Sequence, residues 1–132
     1  MPRVAPQLIA FGLIVGSGPS LLAQAHTGHR HPSGAKIIMI GTIVDPSCRF
    51  ALNLSGPAHR QCAQACADRG VSLVLLGFDG NVYLLTTPGK PAAGENQRLR
   101  ELAEQRIQVM GTVFTAGGSY LITVDSVGVP PP

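Results

Sequence analysis

Apolar runs rich in Ile, Val and Leu alternate with short segments rich in glycine and proline from residue 36 onward. The first run, 36–45, ends at Asp45 and carries Gly41 in its middle, which is typical of a strand with a bulge or a tight bend. Two shorter runs lie on either side of Asp79 and Gly80, a dipeptide that strongly favours a hairpin turn. The pattern therefore predicts five strands: 36–45, two within 71–86, 106–115 and 119–129.

Two segments between these strands have helical features. The first, "GPAHRQCAQACADRG" (56–70), starts with Ser55 or Gly56 as a cap, followed by a proline at the first helical position. It ends at Gly70, which suits the left-handed position after a helix. The second, 97–105, has two leucines three positions apart and follows a Gly/Pro-rich loop. We expect one helix in each segment.

The predicted order is β, α, β, β, α, β, β. Without the first helix, this is the order of an OB-fold, a small five-stranded Greek-key barrel. "MIGTIV" and "VMGTVF" are alike, and each has a mid-strand glycine where a small barrel bends. We expect a mainly β (α+β) fold. It would be a five-stranded OB-like antiparallel barrel, with a cysteine-bearing helix inserted between strands 1 and 2 and a short helix between strands 3 and 4. This single domain would span 36–129, followed by a short tail, 130–132; the alternative is an open antiparallel sheet with helices on one face.

The N-terminal segment has the features of a secretory signal peptide. Arg3 is a lone positive charge, the apolar run 7–16 is too short to span a bilayer, and Ala23 and Ala25 form an Ala-x-Ala cleavage site. We therefore expect residues 1–25 to be removed and the protein to be periplasmic or secreted, where disulfides can persist. The alternative is an uncleaved N-terminal anchor. No later apolar run is long enough for a membrane span.

Composition and motifs exclude several classes of function. The net charge is +3 without a Lys/Arg cluster, and aromatic residues make up only 5% of the chain, so we expect no nucleic-acid binding. The chain contains no paired carboxylates, nucleophile elbow, phosphate loop or Ser-His-Asp set, so no enzyme is predicted. The expected partners are a metal ion or an exported protein. A polar tail, 26–35, offers three possible auxiliary metal ligands, His26, His29 and His31.

The segment 46–70 concentrates the candidate chemistry. It contains all three cysteines, Cys48, Cys62 and Cys66, together with His59. Because successive residues of an α-helix are rotated by about 100°, His59, Cys62 and Cys66 lie on one face with small alanines, and the long polar side chains lie on the other. The segment between Cys48 and the predicted helix is long enough to fold Cys48 back onto that face.

Three kinds of site fit these residues. In a metal site, three thiolates and one imidazole favour Cu(I) first and Zn(II) second. In a structural site, Cys48 pairs with Cys62 or Cys66 in a disulfide, which adds about 3 kcal/mol and leaves one thiol over. A bond between Cys62 and Cys66 along one helical turn has poor geometry. The third possibility is thiol–disulfide exchange, although the chain lacks Cys-x-x-Cys and a thioredoxin-like order of elements.

Four motifs resemble a group of small exported bacterial proteins. They are "GTIVDPSC" (41–48), "GPAHRQCAQACADRGVSLVLL" (56–76), "DGNVYLL" (79–85) and "IQVMGTV" (107–113). The resemblance implies an OB-like barrel and the joint use of Cys48, His59, Cys62 and Cys66, but it implies no reaction.

We therefore expect an exported protein that binds a soft metal ion, Cu(I) or Zn, through a Cys3His cluster, as a metal carrier or sensor. The alternative is a disulfide-stapled OB-like interaction module without a metal.

Overall fold

The structure is a computed structural model that describes residues 33–132, with only the backbone described for 90–94. These residues belong to one compact unit. The predicted signal peptide and the histidines of the tail, His26, His29 and His31, lie outside the described residues. The six strands are β1 (Ala35–Val44), β2 (Val74–Gly77), β3 (Val82–Thr87), β4 (Lys90–Gly94), β5 (Arg106–Ala116) and β6 (Ser119–Gly128). The helices are α1 (Pro46–Ala51), α2 (Arg60–Asp68) and α3 (Asn96–Leu99), with 3-10 turns at Pro57–His59 and Arg100–Leu102.

Five of the strands close into a barrel. β1 pairs with β2 and β5, β2 pairs with β3, β3 pairs with β6, and β6 pairs with β5, which returns the hydrogen bonding to β1. The predicted OB-like barrel is therefore confirmed, and the open sheet is not formed. Two details differ from the expectation. The β3–β6 pairing is parallel, and a short additional strand, β4, pairs with β3 in the segment predicted as a loop.

Gly41 lies where β1 changes from one partner to the other. It pairs with Ile107 of β5 and with Gly77 of β2, so β1 is hydrogen-bonded to both of its neighbouring strands near this residue. A Cβ atom at Gly41 would lie 2.5 Å from the carbonyl oxygen of Leu76. The mid-strand glycine predicted to mark a bend is thus required by a close approach of two strands.

The helical segments differ more from the prediction. The expected helix 56–70 is a 3-10 turn followed by α2, and Gly56 and Gly70 both have positive φ values, 85° and 95°. α1 was not predicted. It begins directly after β1, because the side chain of Asp45 accepts hydrogen bonds from the backbone N–H groups of Ser47 and Cys48.

The core is aliphatic, as a chain without Trp requires. Its fully buried side chains come from the barrel strands and from α3, and include Ile43, Leu75, Leu99, Val109 and Ile122. Two alanines of α2, Ala63 and Ala67, join the same core. Small side chains on that face let α2 lie close to the barrel. Within residues 33–132, no helix has the length and apolar character needed to cross a membrane.

Candidate metal centre

The three cysteines come together beside the barrel. Their Sγ atoms all lie within 4.8 Å of one another, although Cys48 and Cys66 are 18 positions apart in the sequence. All three are free thiols. This group is the one set of at least three His, Cys, Asp or Glu side chains in the described part of the chain with metal-ligand spacing.

Cys48 is held by α1, directly after the end of β1. Asp45 terminates the strand and caps the helix, with Oδ1 accepting from Ser47 N at 2.8 Å and from Cys48 N at 3.3 Å. Pro46 occupies the first helical position, where a missing N–H has no cost. Cys48 is only 9% exposed, so it forms the inner side of the thiol group.

Cys62 and Cys66 are held by α2, one helical turn apart. Cys62 is exposed and Cys66 is half-buried. α2 is anchored at its C-terminal end, where Asp68 forms an ion pair with Arg100 at 2.7 Å and Asn96 donates to the carbonyl oxygen of Val71 at 2.6 Å. The two thiols are therefore presented by a helix whose position is set by the segment between β4 and β5.

Asp45 is a fully buried carboxylate next to two of the thiols. Burial alone would raise its pKa, but interactions with the thiols of Cys66 and Cys48, together with the backbone N–H groups at the start of α1, lower the pKa below its ordinary value of 3.8. Its second oxygen, Oδ2, is buried and has no hydrogen-bond partner of good geometry among the described residues. A negative charge, with one oxygen that lacks a hydrogen bond of good geometry, thus lies next to the thiols of Cys48 and Cys66.

The carboxylate also changes the acidity of the thiols. Hydrogen bonding to Asp45 and burial raise the pKa of Cys48 to about 12, and the same two causes raise the pKa of Cys66. These two groups are therefore neutral thiols at neutral pH when no cation is bound. A cation in the centre of the group would favour the thiolates and release their protons to solvent.

His59 has a different environment from the thiols. Its Nδ1 lies 3.0 Å from Oε1 of Glu104, and both side chains are almost completely buried. Its other ring nitrogen, Nε2, is buried and has no hydrogen-bond partner among residues 33–132. The helical spacing predicted that His59 would share a site with the thiols, but the structure places it outside the group of three sulfur atoms.

The group of thiols is suited to a soft or borderline metal ion. Three thiolates can hold Cu(I) or Zn(II). Tetrahedral Zn–S bonds of about 2.3 Å place sulfur atoms about 3.8 Å apart, so the group needs to contract by about 1 Å at most. A disulfide between Cys48 and either of the other cysteines requires a larger movement, of up to about 2.8 Å, because the S–S bond is only about 2.05 Å long.

Asp45 is the residue of this site that the sequence analysis missed. The sequence pattern predicts only that the first strand ends at this residue. The signal was present, because an aspartate followed by proline is a typical helix start, and a helix starting there places Cys48 in its first turn.

Comparisons with protein-family models, with curated proteins and with solved structures gave no match for this chain. The barrel and the three-cysteine group agree with the resemblance described above, and membership of that group of exported proteins stays a prediction from the sequence. The description of the site therefore rests on its own geometry, which is that of a barrel protein with three clustered cysteines able to bind a metal ion.

Proposed function

We propose that this protein is an exported carrier or sensor of a soft metal ion, Cu(I) or Zn(II), bound by Cys48, Cys62 and Cys66. The observation that carries the proposal is the mutual distance of the three sulfur atoms, 4.8 Å or less. Export is inferred from the predicted signal peptide, and it adds the condition that the thiols must be kept reduced or protected by the metal.

The graded exposure of the three ligands favours a carrier over a purely structural site. Cys62 is exposed, Cys66 is half-buried and Cys48 is 9% exposed. A ligand of an acceptor protein can therefore displace Cys62 first, while the two inner thiolates still hold the metal. A closed structural site would have no such point of attack.

The first test combines a thiol count with a metal count. The full chain would be produced in a host that exports it, purified without reductant, denatured, and assayed for free thiols and for bound Cu and Zn. We expect three titratable thiols and about one equivalent of metal. Cys62→Ser and Cys66→Ser should each lower the metal content strongly, whereas Gln61→Ala, on an exposed neighbour in the same helix, should leave it unchanged.

The opposite result identifies the alternative. One free thiol and no metal would mean that Cys48 is paired with Cys62 or Cys66, and that the protein is a disulfide-stapled interaction module. In that case Cys48→Ser should lower the free energy of unfolding by about 2–5 kcal/mol, because the cross-link is lost. Three free thiols without metal, even after incubation with Zn(II) or Cu(I), would refute both functions.

A further inference from the structure

We infer that Asp45 is the fourth ligand of the metal site and that the site therefore selects Zn(II) over Cu(I). The inference rests on the proposed function and specifies its ion. The juxtaposition that carries it is a fully buried carboxylate whose Oδ2 has no hydrogen bond of good geometry among the described residues and whose neighbours are the thiols of Cys48 and Cys66.

The two oxygens of Asp45 have separate roles. Oδ1 is used by the protein, since it accepts the two N–H groups that start α1. Oδ2 forms no hydrogen bond of good geometry with a described residue, and a buried polar atom in that state is costly. In the metal-free protein, the two thiols can still offer protons to the carboxylate. When a metal replaces those protons, the thiolates can no longer donate hydrogen bonds. Oδ2 then loses its interaction with the thiol protons as well.

Direct coordination removes that conflict. Each of the three thiols transfers its proton to solvent, three metal–sulfur bonds form, and Oδ2 supplies a fourth bond from the inner side of the group. Asp45 is buried like Cys48, while Cys62 is exposed, so Oδ2 would approach the metal from the buried side. Its carboxylate oxygens do not lie within 4.8 Å of all three sulfur atoms, so this bond requires the site to contract around the ion. Three sulfurs and one oxygen complete the tetrahedral coordination that Zn(II) prefers.

The same arrangement disfavours Cu(I). A carboxylate oxygen is a hard ligand, and Cu(I) prefers thiolates and thioethers. A divalent ion also leaves one unit less negative charge in a partly buried site that already holds three thiolates and a carboxylate. Uncompensated buried charge is expensive, so the difference favours Zn(II).

The test compares Zn(II) and Cu(I) affinities of the full chain and two variants, measured by competition with chromophoric chelators. Asp45→Asn and Asp45→Ser both retain a side chain that caps α1 well, and both remove the carboxylate. Asp125→Asn is the matched control, because Asp125 is an exposed carboxylate on β6. We expect Zn(II) affinity to fall at least about 10-fold in the two Asp45 variants, Cu(I) affinity to change less than about 3-fold, and the control to bind both ions normally.

X-ray absorption at the zinc edge supplies a readout independent of the variants. The unaltered protein should show three sulfur ligands at about 2.3 Å and one light ligand at about 2.0–2.2 Å, without the outer-shell pattern of an imidazole. An imidazole pattern would make His59 the fourth ligand and overturn the inference. So would equal Zn(II) affinity in the Asp45 variants, or parallel losses of Zn(II) and Cu(I). Failure of the unaltered protein to bind either ion would instead refute the proposed function itself.

Discussion

His59 Nδ1 lies 3.0 Å from Glu104 Oε1, which joins two residues 45 positions apart in the sequence. The other carboxylate oxygen of Glu104 accepts the backbone N–H of Gly56 at 2.8 Å. Glu104 itself has a positive φ of 60°, and its N–H donates to the carbonyl oxygen of Ile43 at 2.7 Å. The side chain of Glu104 therefore connects the start of the α2 segment to the loop that precedes β5. The backbone N–H of the same residue connects that loop to β1.

Removing this carboxylate should destabilise the protein strongly. Glu104→Ala leaves a buried imidazole and the Gly56 N–H without their partner, and we expect the free energy of unfolding to fall by about 3–5 kcal/mol. Urea denaturation measures the loss as a shift of the midpoint. Glu101→Ala is the control, since Glu101 is exposed and its solvent-screened ion pair with Arg100 should contribute little to stability. Equal losses in the two variants would contradict the structural role of Glu104.

The stability of the metal-free, reduced protein should decrease at alkaline pH. The pKa of Cys48 is raised to about 12 from an ordinary value of 9.0, by hydrogen bonding to Asp45 and by burial. Above pH 9 the unfolded chain loses the thiol proton while the folded chain keeps it, so the contribution is fully present below pH 9 and is lost as the pH rises towards 12. Thermal unfolding between pH 7 and 11 should show this decrease.

Cys48→Ser provides the comparison for the alkaline effect. The pKa of Cys66 and the pKa of Tyr83 are also raised, and these groups act in the same direction in both proteins. The unaltered protein should therefore lose stability more steeply above pH 9 than Cys48→Ser, and any advantage it has at neutral pH should shrink there. Because Cys48 also hydrogen-bonds to Cys66, the difference between the profiles reports on Cys48 together with that contact. Parallel profiles would show that the folded state does not hold this thiol in its neutral form.

The three thiols should react with iodoacetamide in a fixed order. Only the thiolate reacts, and only where reagent can reach it. Cys62 is exposed and should be modified first, whereas burial and the raised pKa of Cys48 should make that residue the last. Peptide mass spectrometry of the metal-free, reduced protein at short reaction times measures the order. Early modification of Cys48 would contradict its placement on the inner side of the group.

The glycine of the second barrel bend should not tolerate a side chain. Gly111 lies at an irregularity in the β5–β6 register, and a Cβ atom there would collide with the carbonyl oxygen of Thr123 and approach Ile122 Cγ2 to 2.8 Å. We expect Gly111→Ala to lower the free energy of unfolding by about 1–3 kcal/mol. Gly128→Ala, where the added Cβ meets nothing within 4 Å, should change it by less than about 0.5 kcal/mol. Denaturation midpoints that shift equally would show that the close approach does not constrain the barrel.

Local sequence signals were sufficient for the barrel and for most of its turns. Mid-strand glycines, the Asp79-Gly80 turn and the Gly-Pro start of the α2 segment each reflect a backbone requirement within a few residues, and each is found where it was predicted. The parallel β3–β6 pairing was not predicted, because a pairing between distant strands depends on how the barrel closes rather than on local periodicity.

The sequence by itself determined that Cys62 and Cys66 share one helical face, since a spacing of four residues does this in any α-helix. Only the tertiary structure decided what meets that face. Cys48 reaches it because Asp45 starts a helix directly after β1, and the carboxylate of Asp45 is buried beside the thiols. His59 pairs instead with Glu104, because the closed barrel brings the loop before β5 against the start of the α2 segment. Helical spacing determines which side of the helix a residue faces. The group that it meets on that side is supplied by a segment distant in the sequence, and this depends on the tertiary fold.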